Sequence, residues 1–221
     1  MKCIKILSSF LLMAAAFSAN AQSWNFGIEA GYVNSTLSVS DGSAKSRNGF
    51  KVGADAEFTL RNNLSFESGL FYIRKGATIK GETLMNTTIS SVKFSEMDYL
   101  QIPVMAGYKF DLGNGFTLKP ELGAYFAVGV NGDSFVRGID AFNQPYDVRV
   151  STFGNDKSNS YSYRPSYRPC NRADGGLSFA INAKWRHLGL KVEYDLGLAN
   201  ASYYGNGKQR CVSASILYWL H

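Results

Sequence analysis

The stretch "FKVGADAEFTL", residues 50–60, decides how the rest of the chain is read. Phe50, Val52, Ala54, Ala56, Phe58 and Leu60 alternate without a break with Lys51, Gly53, Asp55, Glu57 and Thr59. A period of two over this length is that of a β-strand with one apolar and one polar face. The polar face carries charges of both signs. Neighbouring stretches repeat the pattern. In "WNFGIEAGY", Trp24, Phe26, Ile28, Ala30 and Tyr32 share one face, and Asn25, Gly27, Glu29 and Gly31 the other. Six further alternating segments follow, beginning near Leu64, Leu100, Phe116, Leu177, Leu188 and Val212, which makes eight strands.

The connections alternate between short and long. Short turns lie at Arg61-Asn62-Asn63, at "DLGNG" (residues 111–115) and at His187. Long connections are expected near 34–48, 75–97, 131–174 and 200–208. Such an ordered inequality suits a transmembrane barrel with short periplasmic turns and longer outside loops. An even strand count then returns both termini to the periplasmic side. The fold class expected is all-β: an eight-stranded antiparallel up-and-down transmembrane β-barrel.

The first residues agree. Lys2 and Lys5, an apolar run from Ile6 to Phe17 and Ala19-Asn20-Ala21 read as a secretory signal peptide over residues 1–21, leaving 22–221 as one barrel domain. The run is too short to be a membrane helix, and no stretch of about 18 apolar residues follows it. Removal of two lysines takes the formal net charge from +6 to +4, spread along the chain without a basic block, so nucleic acid is not an expected partner.

An eight-stranded soluble barrel also has two faces, with the apolar one inside. The aromatics separate the two readings. Trp24, Phe26, Phe58, Phe66, Tyr108, Phe110, Phe116, Trp185 and Tyr218 fall near the short-turn ends. Tyr32, Phe50, Tyr72, Tyr99 and Phe126 fall near the other end. Two aromatic belts with aliphatic residues between them match a bilayer and its two interfaces. The polar face then points into the lumen, where Glu29, Asp55, Glu57, Lys119, Glu121, Lys184 and Glu193 are expected to form an interior charge network. Pro103 and Pro120 each remove a ladder hydrogen bond within a strand, and local bulges are the expected remedy.

The segments "GFKVGADAEFTLRNNLSFESGLFYIRKGA", "DYLQIPVMAGYKFDLGNGFTLKPELGAYFAVGV" and "LGLKVEYDLGLAN" resemble the PorT-like outer membrane β-barrel family of small OmpX/OmpA-type barrels. The resemblance rests on a Y-L-x-I-P strand start (Tyr99, Leu100, Ile102, Pro103) and a P-E-L-G strand (Pro120, Glu121, Leu122, Gly123). It implies that both strand prolines are tolerated, that the protein sits in the outer membrane of a Gram-negative bacterium, and, for some members, a role in an envelope or secretion machine. The chain departs from the usual aromatic ending by closing "YWLH", so recognition by the insertion machinery would rest on Tyr218 and Trp219.

Catalysis is not expected. The two histidines, His187 in a periplasmic turn and His221 at the end of the chain, are far from the outer rim where a lipid-modifying base would be needed. No metal or cofactor motif is present, and Asp133, Asp140, Asp147 and Asp156 are too scattered for a calcium loop. Outside the membrane, Tyr161, Tyr163, Arg164, Tyr167 and Arg168 in "YSYRPSYRPC" (residues 161–170) form a candidate ligand-contact loop of rigid aromatics and forked guanidiniums. Its arginines could also meet lipopolysaccharide phosphates. Cys170 and Cys211, both near the outer rim, are a candidate disulfide or two free thiols. The expected partners are outer-membrane lipid and lipopolysaccharide, with an unnamed extracellular ligand or envelope protein. The function expected is that of a surface-exposed structural or interaction (adhesion-like) barrel with a plugged polar interior. The alternative is an accessory component of an envelope or protein-secretion machine. A small pore or a lipid-modifying enzyme ranks below both.

Overall fold

The computed structural model of the chain describes residues 21–38, 43–84, 87–139, 144–153, 170–201 and 207–220. The signal-peptide segment 1–20 and the contact loop Tyr161, Tyr163, Arg164, Tyr167 and Arg168 lie outside the described residues.

Ten strands follow in chain order: β1 (Ala21–Ser38), β2 (Ser43–Leu60), β3 (Leu64–Leu84), β4 (Thr87–Tyr108), β5 (Phe110–Asp111), β6 (Phe116–Ile139), β7 (Pro145–Ser151), β8 (Ala173–Trp185), β9 (Leu188–Gly197) and β10 (Lys208–Trp219). Eight of them close a ring in the order β1-β2-β3-β4-β6-β8-β9-β10, all antiparallel, and β10 pairs back onto β1. The other two are accessory. β5 is a two-residue extension against the start of β6, and β7 adds to the far end of β6.

The faces follow the sequence period. Trp24, Phe26, Ile28 and Tyr32 on β1 point away from the ring and are exposed, as are Leu122, Phe126 and Val128 on β6 and Val192, Ile216 and Tyr218 on β9 and β10. Glu29, Lys51, Asp55, Glu57, Glu67 and Lys191 point in and are buried. A barrel with apolar residues outside and charges inside is the inverse of a soluble core, and only lipid makes the arrangement favourable. At the short-turn end Phe58 lies between Trp24 and Phe66, with ring centroids 5.2 and 6.1 Å apart. The turns there use left-handed conformations at Asn63 (φ 65°) and Asn114 (φ 54°), which asparagine tolerates better than most residues.

Three expectations are corrected. First, the stretches read as loops at 34–48 and 75–97 are largely strand: β1 runs on to Ser38, β2 starts at Ser43, and β3 and β4 continue to Leu84 and from Thr87. A spanning strand needs only about 9–11 residues, so the hairpins on the long-connection side rise well beyond the bilayer. There the outward face meets water and has no reason to be apolar. The hydropathy alternation fades although the hydrogen-bond ladder does not. The same holds for β7, which lies inside the stretch read as one long loop over 131–174.

Second, the prolines need no bulge. Pro103 opposes Tyr125 and Pro120 opposes Ile181, and no register shift occurs at either. The Ser68 hydroxyl donates to the Pro103 carbonyl at 2.7 Å. Pro120 lies one residue past Gly107–Glu121, the last β4–β6 pair, so its missing N–H leaves that ladder intact.

Third, two aromatics face the other way. Tyr99 is fully buried inside the barrel rather than in the outer belt. Its parity is that of buried Met97, Gln101 and Met105 on the same strand and opposite to that of exposed Leu100. Trp219 is also inward and buried, whereas Tyr218 and Leu220 face lipid. An aromatic end signal on the lipid face therefore rests on Tyr218 alone.

Candidate functional site

The lumen is the part of the molecule where titratable side chains converge. It has two storeys. The lower one, nearer the short turns, is an ion-pair lattice built by inward-facing positions of β1, β2, β3, β6 and β9. Lys119 Nζ lies 2.6 Å from Glu57 Oε2, 2.5 Å from Glu67 Oε2 and 2.7 Å from Glu121 Oε1. Glu67 uses its other oxygen to accept from Lys191 Nζ at 2.6 Å. Lys191 also sits 3.7 Å from both Glu29 and Glu193. Lys51 Nζ closes the chain at 2.8 Å from Glu29 and 2.8 Å from Glu193, and lies 4.1 Å from the centroid of the Phe71 ring. At the lower mouth, Lys109 donates to Glu57 at 2.6 Å and to Thr59 at 2.8 Å.

Ring position shows how far these contacts reach. β3 and β9 are four strands apart in a ring of eight, so Lys191–Glu67 crosses the full diameter. β4 and β10 are likewise opposite, and Gln209 Nε2 donates to Tyr99 Oη at 2.7 Å across them. Between these levels Gln101 on β4 donates to Asp195 on β9 at 3.0 Å, and Ser178 donates to the other Asp195 oxygen at 2.5 Å. Lys75 Nζ is 3.4 Å from Asp174, which also accepts from Tyr125 Oη at 3.1 Å. The ammonium of Lys75 lies 4.8 Å from the Tyr125 ring centroid and 5.3 Å from that of Tyr99.

The upper storey is apolar. Val33, Leu37, Ile73, Ala77, Met97, Tyr99, Tyr125, Ala127, Phe153, Cys170, Ala201 and Cys211 form one buried cluster. Tyr99 and Phe153 meet edge to face at 5.2 Å. Phe153 follows β7, and its backbone neighbour Thr152 donates its N–H to Gly132 and accepts from the N–H of Cys170. A Cβ on Gly129 would lie 2.5 Å from the Phe153 ring, so the glycine makes the space into which this ring fits. Cys170 and Cys211 are not bonded to each other. Both are free and buried, and Cys170 Sγ lies 3.8 Å from Met97 Sδ.

Of the residues assigned to the network from sequence, Glu29, Glu57, Lys119, Glu121 and Glu193 meet in the lattice. Lys184 does not join it: half-buried, it stands 5.0 Å over the Trp219 ring near the lower mouth. Asp55 is buried and inward, but neither carboxylate oxygen is hydrogen-bonded and no ion pair reaches it among the described residues. The hubs Lys51, Glu67 and Lys191 were legible only as members of polar faces. Their signal was parity, each being the inward neighbour of exposed wall residues. Lys75 and Asp174 were hidden in stretches read as loops. His187 is exposed at a turn, where its backbone carbonyl accepts from Trp219 N–H at 2.8 Å. Among the described residues no group of three His, Cys, Asp or Glu side chains is arranged to hold a metal ion.

A closed eight-stranded ring, apolar toward the outside and charged within, defines a transmembrane β-barrel of the bacterial outer membrane. The chain belongs to the family described as outer membrane protein beta-barrel domain, which matches residues 20–203. No curated protein matches the sequence. Among solved structures the fold is similar to Ail, the attachment invasion locus protein of Yersinia pestis, crystallised with the heparin analogue sucrose octasulfate (13% identity, 90% of this chain and 100% of that one, TM-score 0.41). It is also similar to Neisserial surface protein A (15% identity, 89% and 99%, TM-score 0.42). OprG from Pseudomonas aeruginosa is a third such structure (11% identity, 91% and 98%, TM-score 0.46).

Proposed function

We propose that this protein is a sealed outer-membrane barrel whose work is done by its extracellular sheet, as a surface-exposed structural or adhesion-like interaction protein. The observation that carries the reading is the contact of Lys191 with Glu67 across the full bore, at 2.6 Å and inside a lattice with buried partners on every side. An eight-stranded barrel has an interior only wide enough for side chains, and here those side chains grip one another. The apolar cluster above them closes the outer mouth a second time. A barrel sealed in this way passes no solute. What remains for function is the sheet that rises outside the bilayer, made by β3, β4, β6 and β7, with ion-paired Arg137–Asp147 and Arg149–Asp133 on its exposed face. It has no catalytic role on this reading, because the lattice carboxylates Glu29, Glu57, Glu67, Glu121 and Glu193 are committed to lysines and the histidine at the lower turn has no acid partner among the described residues.

The Y-L-x-I-P and P-E-L-G strands support a finer placement among PorT-like barrels, and with it the second reading of an accessory component in an envelope or secretion machine. The two readings divide on which side the partner lies. Cross-linking in intact cells followed by capture of the protein should recover extracellular ligands on the first reading and periplasmic proteins on the second. The seal itself is tested by liposome swelling: vesicles carrying the folded protein should swell in small sugars no faster than empty ones, and porin-like swelling would sink the proposal.

A further inference from the structure

Most buried side-chain atoms without a hydrogen-bond partner in the lumen are oxygens. The one nitrogen among the described residues is Nε1 of Trp219. Trp219 ends β10 on the short-turn side, and its rings span two glycines. Cε3 comes within 3.0 Å of the place a Cβ on Gly27 would take, and Nε1 within 3.5 Å of the place of one on Gly189. The point over Gly189 is also 3.1 Å from Asn182 Oδ1, which has no partner either. Asn182 is on β8, Gly189 on β9 and Trp219 on β10. An orphan donor and an orphan acceptor thus lean from the two flanking strands toward one spot where the wall carries no side chain. Trp219 is 1% exposed and Asn182 2%. Buried polar atoms left unpaired are costly and uncommon.

Lys184 completes the corner. It is the cross-strand neighbour of Gly189 and stands half-buried, with Nζ 5.0 Å from the Trp219 ring centroid. The charged groups around it are Glu57, Lys109 and Lys119. Both oxygens of Glu57 are taken, Oε1 by Lys109 and Oε2 by Lys119, each at 2.6 Å. Lys184 itself forms no ion pair among the described residues. The periplasmic mouth therefore presents an ammonium and an indole N–H that both lack an acceptor, beside an amide oxygen that lacks a donor. A carboxylate answers the first two. An N–H on the same α-carbon answers the third. The last residue of a peptide carries both groups, and capture of a chain end by such a fork is a known mode of peptide recognition. A phosphate or sulfate dianion offers acceptors alone and leaves Asn182 Oδ1 unpaired.

We infer that the periplasmic mouth binds the carboxyl terminus of an extended peptide. The carboxylate lies between Lys184 Nζ and Trp219 Nε1, both donating to it, and the last N–H of the peptide donates to Asn182 Oδ1. The Lys119 lattice stops the ligand from going deeper. The site is at the opposite end of the barrel from the extracellular sheet, so it stands or falls separately from the proposed function.

The test uses the folded full-length protein, nitrogen-labelled and held in detergent micelles, with N-acetyl-glycylglycine as the probe. Of the three tryptophans, Trp24 and Trp185 are exposed on the lipid face and Trp219 faces the lumen, so their indole N–H resonances separate the site from the belt. The Trp219 resonance should move saturably, with a Kd of about 1 mM for a ligand of this size, while the other two stay. The C-terminal amide of the same peptide should bind at least about tenfold more weakly, as should the acid to Lys184→Ala. Asn182→Ala should bind the peptide only as well as it binds acetate. Acetyl-glycyl-sarcosine, whose last residue has no N–H, reads the same contact on the wild type and should also bind no better than acetate. Lys208→Ala, an exposed lysine at the far end of β10, should bind as wild type does. Heat-modifiable migration on gels shows that each variant is a closed barrel. A Trp219 resonance that does not move, equal binding of the amide, or unchanged affinity in Lys184→Ala would overturn the site. Acetate or the sarcosine peptide binding as tightly as N-acetyl-glycylglycine would overturn its assignment to a peptide terminus.

Discussion

The two storeys of the lumen are closed by opposite chemistry. The lower storey holds four buried lysines' worth of difficulty only if Lys75, at its top, is counted with Lys51, Lys119 and Lys191. Lys51, Lys119 and Lys191 each meet two or three carboxylates and Lys75 meets Asp174, and removing one member strands the rest in a medium that cannot hydrate them. The upper storey is a small soluble-type core, with Phe153, Met97, Leu37 and Ile73 inside and Asn34, Thr36 and Lys45 on the outward side. β1 passes from one storey to the other without changing parity: residues 27, 29, 33, 35 and 37 all point in. What changes is the solvent outside the wall. Where lipid surrounds the ring, apolar residues go out and charges go in. Where water surrounds it, the preference reverses. The lower closure is wired across the whole ring, whereas the upper one is filled in part by Phe153, which follows β7.

That difference sets the sizes of the expected effects. The largest belongs to the lattice. Lys191→Met leaves Glu67, Glu29 and Glu193 facing one another without their shared cation, and should lower unfolding stability by about 3–5 kcal/mol, the range for breaking a buried ion pair. Urea titration of the protein in lipid vesicles, followed by tryptophan fluorescence, reads it; a midpoint equal to wild type would mean that the lattice is hydrated and weakly coupled.

The cap should respond locally. Phe153→Ala removes the ring seated over Gly129 and Tyr99. Labelling of Cys170 and Cys211 by a membrane-impermeant maleimide should accelerate by about tenfold through local opening, while the global unfolding free energy moves by less than ~1 kcal/mol. An equal loss in both measurements would show that cap and lattice are one cooperative unit.

The smallest effect is expected at Asp55. Its carboxylate is buried, lacks a hydrogen-bond partner, and adds another negative group to a lumen where carboxylates already outnumber lysines. Asp55→Asn keeps the shape and removes the unpaired charge, so stability should stay within about 1 kcal/mol of wild type or rise. A loss comparable with that of Lys191→Met would reveal a partner for Asp55 that the side-chain geometry does not contain.

The lower storey was far more legible in the sequence than the upper. Between Trp24 and Tyr32, or Phe50 and Leu60, lipid outside and charge inside give the two faces maximal contrast, so strand, register parity and interior charges could all be read together. Above Tyr32 the contrast collapses. Asn34, Ser35, Thr36 and Ser38 look like a loop because a water-facing wall and a partly polar interior differ little in hydropathy. The inward positions of Val33 and Leu37 were the remaining signal. Tyr99 and Trp219 were misplaced for another reason: an aromatic near a strand end suits a belt or a plug equally well, and only counting parity from Leu100 or Tyr218 separates them. The lattice hubs could not be ranked from sequence because strands two to four apart in the ring bring together residues as distant as Glu67 and Lys191, and which pairs meet depends on shear and register rather than spacing.

The double closure is most directly tested by single-channel recording in planar bilayers on four proteins: the wild type, a lattice variant Glu67→Ala/Lys191→Ala, a cap variant Phe153→Ala, and the combination. The wild type and the cap variant should give no stable openings, because the ion pairs still cross the bore beneath the cap. The lattice variant should stay closed beneath an intact cap, and discrete conductance steps should first occur in the combination. Reproducible porin-like openings from the folded wild type, or from the cap variant alone, would contradict the account.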